Sequence, residues 1–278
     1  MFKITRKQSF NDDTFLLEFE LAAIAEKARP GQYVDIHLNP DARAITVPVT
    51  GTDAEAGTFT IVEQGRDLPT EQLMVLAEGE EVFQIRGPLG GACEFDADGK
   101  VVLMAEDLGA ASLLWRAREF RARGAYVIVI LGFASKDRVF WPNEFGEVAN
   151  ELYIATVDGS FGMTGRVTGA LQAVCETHKD VERIVMIGRL KTMKRGAKIA
   201  VDFGIDARIS FDAVRHPAGS PGVFDQVDQA KDVFMFARAA ELNAEDVDFD
   251  KLIARERAIS ADASPEEDDS ARNASRAT

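Results

Sequence analysis

Two rhythms of hydrophobic and polar residues divide the chain near residue 100. Before it, short runs alternate or are rich in β-formers: TFLLEFEL (14–21), QYVDIHL (32–38), GTFTIVEQ (57–64) and EVFQIRG (81–87). RPGQ, NPDA, TDAEAGT and DADG punctuate them with turn-forming residues. Strands at this spacing predict a small antiparallel barrel or sandwich. One helical segment interrupts them, TEQLMVLAEG (70–79), with Thr70 placed as N-cap and Gly79 as the stop.

Beyond residue 100 the runs lengthen. VVLMA, YVIVILGFA, ELYIATVD, RIVMIG and DARISFD read as strands. Helical patterns fall between them: LLWRAREFRARG, PNEFGEVAN, VTGALQAVCETH and KTMKRGAKIAVDFG. Continuous apolar strands alternating with helices predict a parallel sheet covered on both faces. The chain therefore reads as a two-domain α/β protein. Residues 1–97 form a β-barrel domain, 98–212 a parallel α/β domain, and 213–259 a polar, loop-rich region ending in the helix DFDKLIARERAI. The stretch 260–278, with few apolar residues and mixed charge, is expected to be a disordered tail.

Composition narrows the function classes. The 278 residues carry a formal net charge of −14, which argues against nucleic acid and anionic membrane surfaces as partners. No run of about 18 apolar residues and no signal-peptide pattern is present. The two cysteines, Cys93 and Cys175, have no partner at metal-ligand spacing, and isolated thiols suit a reducing interior. A cytoplasmic location is the expectation.

The segments PGQYVDIHL, AGTFTIVEQ, IRGPLGGACEF, LGFASKDRVF, VDGSFGMTGRVTGAL, MIGRLKTMK and VDFDKLIARE occur in order between about Pro30 and Arg257. In that order and spacing the chain resembles the ferredoxin–NADP reductase superfamily, in its branch of small electron-transfer subunits. Those subunits accompany dihydroorotate dehydrogenase, or form the sulfide dehydrogenase β subunit and the α subunit of NADH-dependent ferredoxin:NADP oxidoreductase. The resemblance implies a flavin-binding barrel, a nicotinamide-binding α/β domain and an iron–sulfur cluster, each of which needs its own donors.

For flavin, the family places an Arg shortly before a Pro–aliphatic–Ser/Thr step. In RAITVPVTG, Pro48, Val49 and Thr50 resemble the step, but Thr46 then stands where the Arg is expected. The other register, starting at Arg43, restores an Arg and places a hydroxyl at Thr46, but moves the proline. The second flavin element is a Gly-x-Ser/Thr-Thr turn whose N–H groups hold pyrophosphate. Here it reads GRDLPTEQL: Thr70 matches, Asp67 replaces the glycine, Pro69 removes a donor and Arg66 is a substitute cation. FAD binding is left open.

The nicotinamide turn of the family is a glycine run leading into a helix. In AEDLGAAS only Gly109 remains, and Glu106 and Asp107 bring two negative charges. At intermediate dielectric each carboxylate–phosphate pair costs about 4 kcal/mol. Acidic residues in a first helical turn are favourable, so the turn reads as a helix start, and NAD(P)H is not expected there. Asp158, Gly159 and Ser160 of VDGSFGMTG remain as nucleotide candidates or as a tight turn. At the cluster loop the family's cysteines fall at or near Gly222, Asp225 and Phe236, and no cysteine lies beyond Cys175, so no iron–sulfur cluster is expected.

His37, His178 and His216 are scattered, and no catalytic constellation emerges from them. Met186, Met193, Trp115 and Trp141 suit core or interface packing. Arg189, Lys191, Lys194, Arg195 and Lys198 form a basic cluster opening a helix, favouring a docking patch. Two readings stand. In one, the chain is a docking and structural subunit of an oxidoreductase complex, its cofactor sites eroded, beside a larger flavoprotein resembling the glutamate synthase small subunit. In the other it is an active FAD-dependent NAD(P)H electron-transfer subunit.

Overall fold

A computed structural model describes residues 1–211 and 241–262. The N-terminal region holds two antiparallel sheets. Strands β1 (Phe2–Ser9), β2 (Thr14–Glu20), β5 (Gly51–Asp53), β6 (Thr58–Gln64) and β7 (Glu81–Val82) form one, in the order β5-β6-β2-β1-β7. Strands β3 (Tyr33–His37), β4 (Ile45–Pro48) and β8 (Gln84–Leu89) form the other, in the order β4-β3-β8. The ladders do not close into a single barrel sheet. The two sheets share one core, in which Phe15, Leu17, Phe19, Val34, Ile36 and Phe59 are fully buried. Alternation in TFLLEFE places Phe15, Leu17 and Phe19 on that core face.

Helix α1 (Ala22–Lys27) fills the turn after β2, and α2 (Leu68–Val75) follows β6. The N-cap of α2 is Asp67, not Thr70, and the helix ends at a Leu76 C-cap, short of Gly79. Thr70 occupies the third helical position and completes a capping box with Asp67.

The second region is the parallel sheet. It comprises β9 (Lys100–Glu106), β10 (Tyr126–Phe133), β11 (Glu151–Thr156), β12 (Met163–Thr164), β13 (Val181–Ile187), β14 (Asp206–Ser210) and β15 (Leu242–Asn243). Their order is β12-β11-β10-β9-β13-β14-β15, and only the β14–β15 pair is antiparallel. Helices α3 (Gly109–Ala122) and α4 (Pro142–Val148) cover one face. Helices α5 (Val167–Thr177), α6 (Leu190–Phe203) and α7 (Phe249–Asp262) cover the other. Strand order reverses between β9 and β13, so the segments leaving these neighbours diverge to opposite faces and open a crevice at their carboxyl ends.

The two regions meet in an apolar seam. Leu16 and Val62 of the N-terminal sheet are buried in the same cluster as Leu108, Phe133 and Phe140. The Phe10 ring stacks on Phe140 at 5.1 Å and meets Trp141 edge-on at 5.4 Å. Trp141, the N-cap of α4, holds a left-handed backbone at φ 58° to present its ring there. Trp115 of α3 packs against the N-terminal core, and Arg138 donates to the Asp13 carboxylate across the boundary.

Candidate functional site

The crevice at the carboxyl ends of β9 and β13 is where an α/β sheet of this order receives a ligand. Glu106 is the last residue of β9, and its carboxylate is almost entirely buried. It is not part of a helical first turn: α3 has no acidic residue there and no side-chain cap. Instead it reaches across the switch point to Arg189, the N-cap of α6. Oε2 accepts from Arg189 Nε at 3.0 Å and from the Arg189 backbone N–H at 3.4 Å, and Oε1 accepts from Nη2. Thr192, in the first turn of α6, adds a side-chain hydrogen bond. Burial acts to raise the Glu106 carboxyl. The bonds from Arg189 and Thr192 outweigh it and hold the group below the ordinary carboxylate range.

Asp107 follows in a left-handed conformation, φ 50°, with Oδ2 3.8 Å from Arg189 Nη2. Here burial dominates and the Glu106 charge adds to it. The carboxyl is pushed up despite the attraction of Arg189, Arg66 and Arg138. Arg189 therefore meets both carboxylates, and the charges of Arg66 and Arg138 add attraction at Asp107. The first α3 N–H groups turn inward, with Ala110 N–H bonded to the Asp107 carbonyl at 3.1 Å.

Gly109 serves packing. A Cβ there would lie 2.9 Å from the Ile187 carbonyl oxygen and 3.0 Å from its side chain, so the glycine lets α3 lie against β13. Asp158, Gly159 and Ser160 form a closed turn after β11. Asp158 Oδ1 accepts from Ser160 N–H at 3.0 Å and from its hydroxyl at 2.6 Å, and Ser160 Oγ accepts from the Lys136 N–H at 2.7 Å.

The flavin candidates lie on the N-terminal sheets. Thr46 is exposed on β4, and its hydroxyl donates to Asp35 at 2.7 Å. Arg43 and Arg66 are exposed, and Pro48 is half-buried. Val49 is buried, its N–H donating to the Gln32 carbonyl at 3.0 Å. The Thr50 hydroxyl turns inward and donates to the Thr60 carbonyl at 3.1 Å. The register starting at Arg43 thus faces outward, and the Pro48–Val49–Thr50 step is absorbed into the sheet.

At the start of α2 the phosphate donors are already engaged. The Thr70 N–H bonds the Asp67 carboxylate at 3.0 Å, the Glu71 N–H bonds the Asp67 carbonyl at 2.8 Å, and Pro69 has none. Thr70 Oγ1 in turn accepts the Arg66 and Asp67 N–H groups at 3.0 and 3.1 Å. The Thr70 and Glu71 N–H groups are thus engaged within the cap itself.

Elsewhere the histidines play structural parts. His37 Nδ1 meets the Ala42 carbonyl at 3.0 Å. His178 bridges Glu151 and Lys100 beneath the parallel sheet. Met186 and Met193 are fully buried core residues. Burial pushes the Cys175 thiol up to about 11, leaving it unreactive. The basic opening of α6 is partly neutralised within the chain: Arg189 on Glu106, Lys194 on Asp250 and Lys198 on Asp202. Among the described residues no three metal-ligating side chains converge. Gly222, Asp225, Phe236, His216 and residues 263–278 lie outside the described residues, while residues 260–262, expected to open the disordered tail 260–278, belong to α7. No described helix is long and apolar enough to cross a membrane.

A two-region fold of this kind, an antiparallel flavin-type module joined to a parallel nucleotide-type module, defines a ferredoxin reductase-like protein. No protein-family model matches the chain, but relatives place it. It is 28% identical over 254 residues to the dihydroorotate dehydrogenase B electron transfer subunit homolog of Thermotoga maritima, covering 91% of this chain and 89% of that protein. It is 30% identical over 175 residues to the dihydroorotate dehydrogenase B electron transfer subunit of Geobacillus thermodenitrificans, covering 61% of this chain and 67% of that protein. Among solved structures, one chain of an NADH-dependent reduced ferredoxin-NADP oxidoreductase studied for flavin-based electron bifurcation superposes with a TM-score of 0.80. It is 26% identical and 92% of each chain is covered. The chain belongs to the electron-transfer-subunit branch of the ferredoxin–NADP reductase superfamily.

Proposed function

We propose that this chain is an oxidoreductase-complex subunit that keeps the reductase frame to dock on a larger catalytic partner, its own nicotinamide site closed. The observation that carries the reading is the Glu106–Arg189 pair, which fills the switch-point crevice with an internal anion and its counter-charge. The cap at α2 supports it, because Asp67 holds the donors that a flavin pyrophosphate would need. The partner class is a larger flavoprotein subunit.

A second reading, an FAD-dependent electron-transfer subunit, draws on the outward-facing Arg43 and Thr46. It also draws on the near-full-length likeness to the oxidoreductase chain above. Purification under native conditions separates the two. The docking reading expects colourless protein that co-purifies in fixed ratio with a second flavoprotein. A flavin absorption spectrum belonging to the isolated chain, bleached by NAD(P)H, overturns it.

A further inference from the structure

The N-terminal region carries a groove that belongs neither to the crevice nor to the seam. It has a volume of about 590 Å³ and runs between the start of β1, the start of α1, the tip of the β5–β6 hairpin and β7. Phe2, Leu21, Ala22, Ala54 and Ala56 supply its apolar lining. The hairpin tip is held in place by its own bonds. Asp53 Oδ1 accepts the Glu55 and Ala56 N–H groups at 3.0 and 2.9 Å, and the Leu21 N–H donates to the Gly57 carbonyl at 3.0 Å. A groove formed in advance costs a ligand little ordering.

Beside it the β1–β7 register, Phe2 on Val82 and Lys3 on Glu81, sets Met1 opposite Phe83. Both are large hydrophobic residues left in solvent, Met1 84% and Phe83 43% exposed. The rim is acidic. Glu20, Glu55 and Glu81 line the groove, are exposed, and make no ion pair or side-chain hydrogen bond among the described residues. Lys3, the cross-strand neighbour of Glu81, is the one cationic side chain in the lining. An apolar floor under unpaired carboxylates favours a ligand that is apolar in the middle and cationic at its edges.

We propose that this groove receives a basic, apolar segment of a partner protein. One large aliphatic or aromatic side chain would lie over Leu21 and Ala22, and flanking lysines or arginines would meet Glu20, Glu55 and Glu81. The inference rests on the docking reading above and deepens it, by naming the chemistry of the partner's contact segment. A partner seated here leaves the seam and the crevice untouched.

The probe is a capped peptide of leucine and phenylalanine flanked by lysines, titrated into the full chain and followed by amide chemical shifts. Shifts are expected at residues 1–3, 20–22, 54–57 and 81–83, and should fade as salt rises from about 50 to about 300 mM. The same peptide with glutamates in place of lysines should give none. Glu20→Gln, Glu55→Gln and Glu81→Gln together should weaken binding about tenfold, since exposed ion pairs are each modest. All three side chains are exposed, so Tm should hold. Absent shifts, shifts centred elsewhere, or equal binding of the acidic peptide or by the triple variant overturn the inference.

The complex supplies the second arm. Glu20→Lys, Glu55→Lys and Glu81→Lys in one chain should strip the co-purifying subunit while the chain stays folded. A subunit that remains in fixed ratio overturns the groove and leaves the docking reading standing. Wild type that purifies alone with its own flavin fails the docking reading instead, and the peptide titration then decides the groove by itself.

Discussion

The chain satisfies two helix starts in two different ways. At the start of α2 the closing group is local: Asp67 caps a helix that begins one residue later, and Thr70 returns the bond within the same turn. At the start of α6 the closing group is remote, since Glu106 and Arg189 are 83 residues apart and meet only because β9 and β13 are neighbours. A local cap forms as the helix forms and asks nothing of the rest of the fold. The remote pair forms only when the parallel sheet is complete, so it reports on tertiary structure. The cap of α2 is a property of a peptide segment, and the pair at α6 is a property of the topology.

Four substitutions break or sharpen this contrast. The largest effect is expected at Gly109, which opens α3 against Ile187. Gly109→Val should cost about 3 kcal/mol through overpacking against Ile187, read by chemical denaturation. A neutral outcome would mean that the glycine is not there for helix–strand packing. Next is Glu106→Gln, expected to cost about 1–3 kcal/mol at neutral pH because a buried charge-assisted pair is lost.

The sign of its pH dependence follows from the depressed carboxyl. The stability that Glu106 contributes is present above its unfolded pKa and is lost as pH falls through the lower folded value. Wild type and variant should therefore converge in acid, with Tm against pH as the measurement. Asp67→Ala should cost about 1 kcal/mol, as a lost N-cap does. Because that cap is local, the cost should be independent of any change at Arg189, which a double-mutant cycle measures.

The smallest effect is a gain. The Asp107 carboxyl is raised, so its favourable contribution exists below its unfolded pKa and is lost as pH rises through the folded value. Asp107→Asn, which tolerates the left-handed backbone, should stabilise the protein by about 0.5–1 kcal/mol at pH 7 and by nothing near pH 3. A Tm that falls at pH 7 would show that the charge is needed in the crevice.

The same division between local and remote explains what was legible in the sequence. Strands β9, β10 and β13 are buried on both faces, so their continuous apolar runs stand out. β2 and β6 are also buried on both faces, because the seam covers Leu16 and Val62 on the side away from the N-terminal core. Strand β1 is hidden in the sequence because Ile4 is its only fully buried side chain, and FKITRKQS carries no clear hydrophobic period. β4 and β5 were missed because their pairing is imposed by β3 and β6.

The start of α2 lies three residues before the expected Thr70, and the sequence carries a signal for it. Pro69 belongs in a first helical turn, and that alone points back to Asp67 as the cap. AEDLGAAS reads as a glycine-poor turn with two carboxylates, but Glu106 belongs to the end of β9 and only Asp107 lies in the turn. What they do there was not legible. Nothing within ten residues of Glu106 announces Arg189, and a carboxylate read as repelling a ligand is in fact held by its own cation.

The aromatic seam between the two regions has an optical consequence. The chain's two tryptophans, Trp115 and Trp141, both lie on the boundary, one against the N-terminal core and the other against Phe10. Tryptophan emission thus watches the join and not the interior of either half. A partner that prised the halves apart would red-shift that emission while the far-ultraviolet circular dichroism stayed constant. The protein carries its own strain gauge.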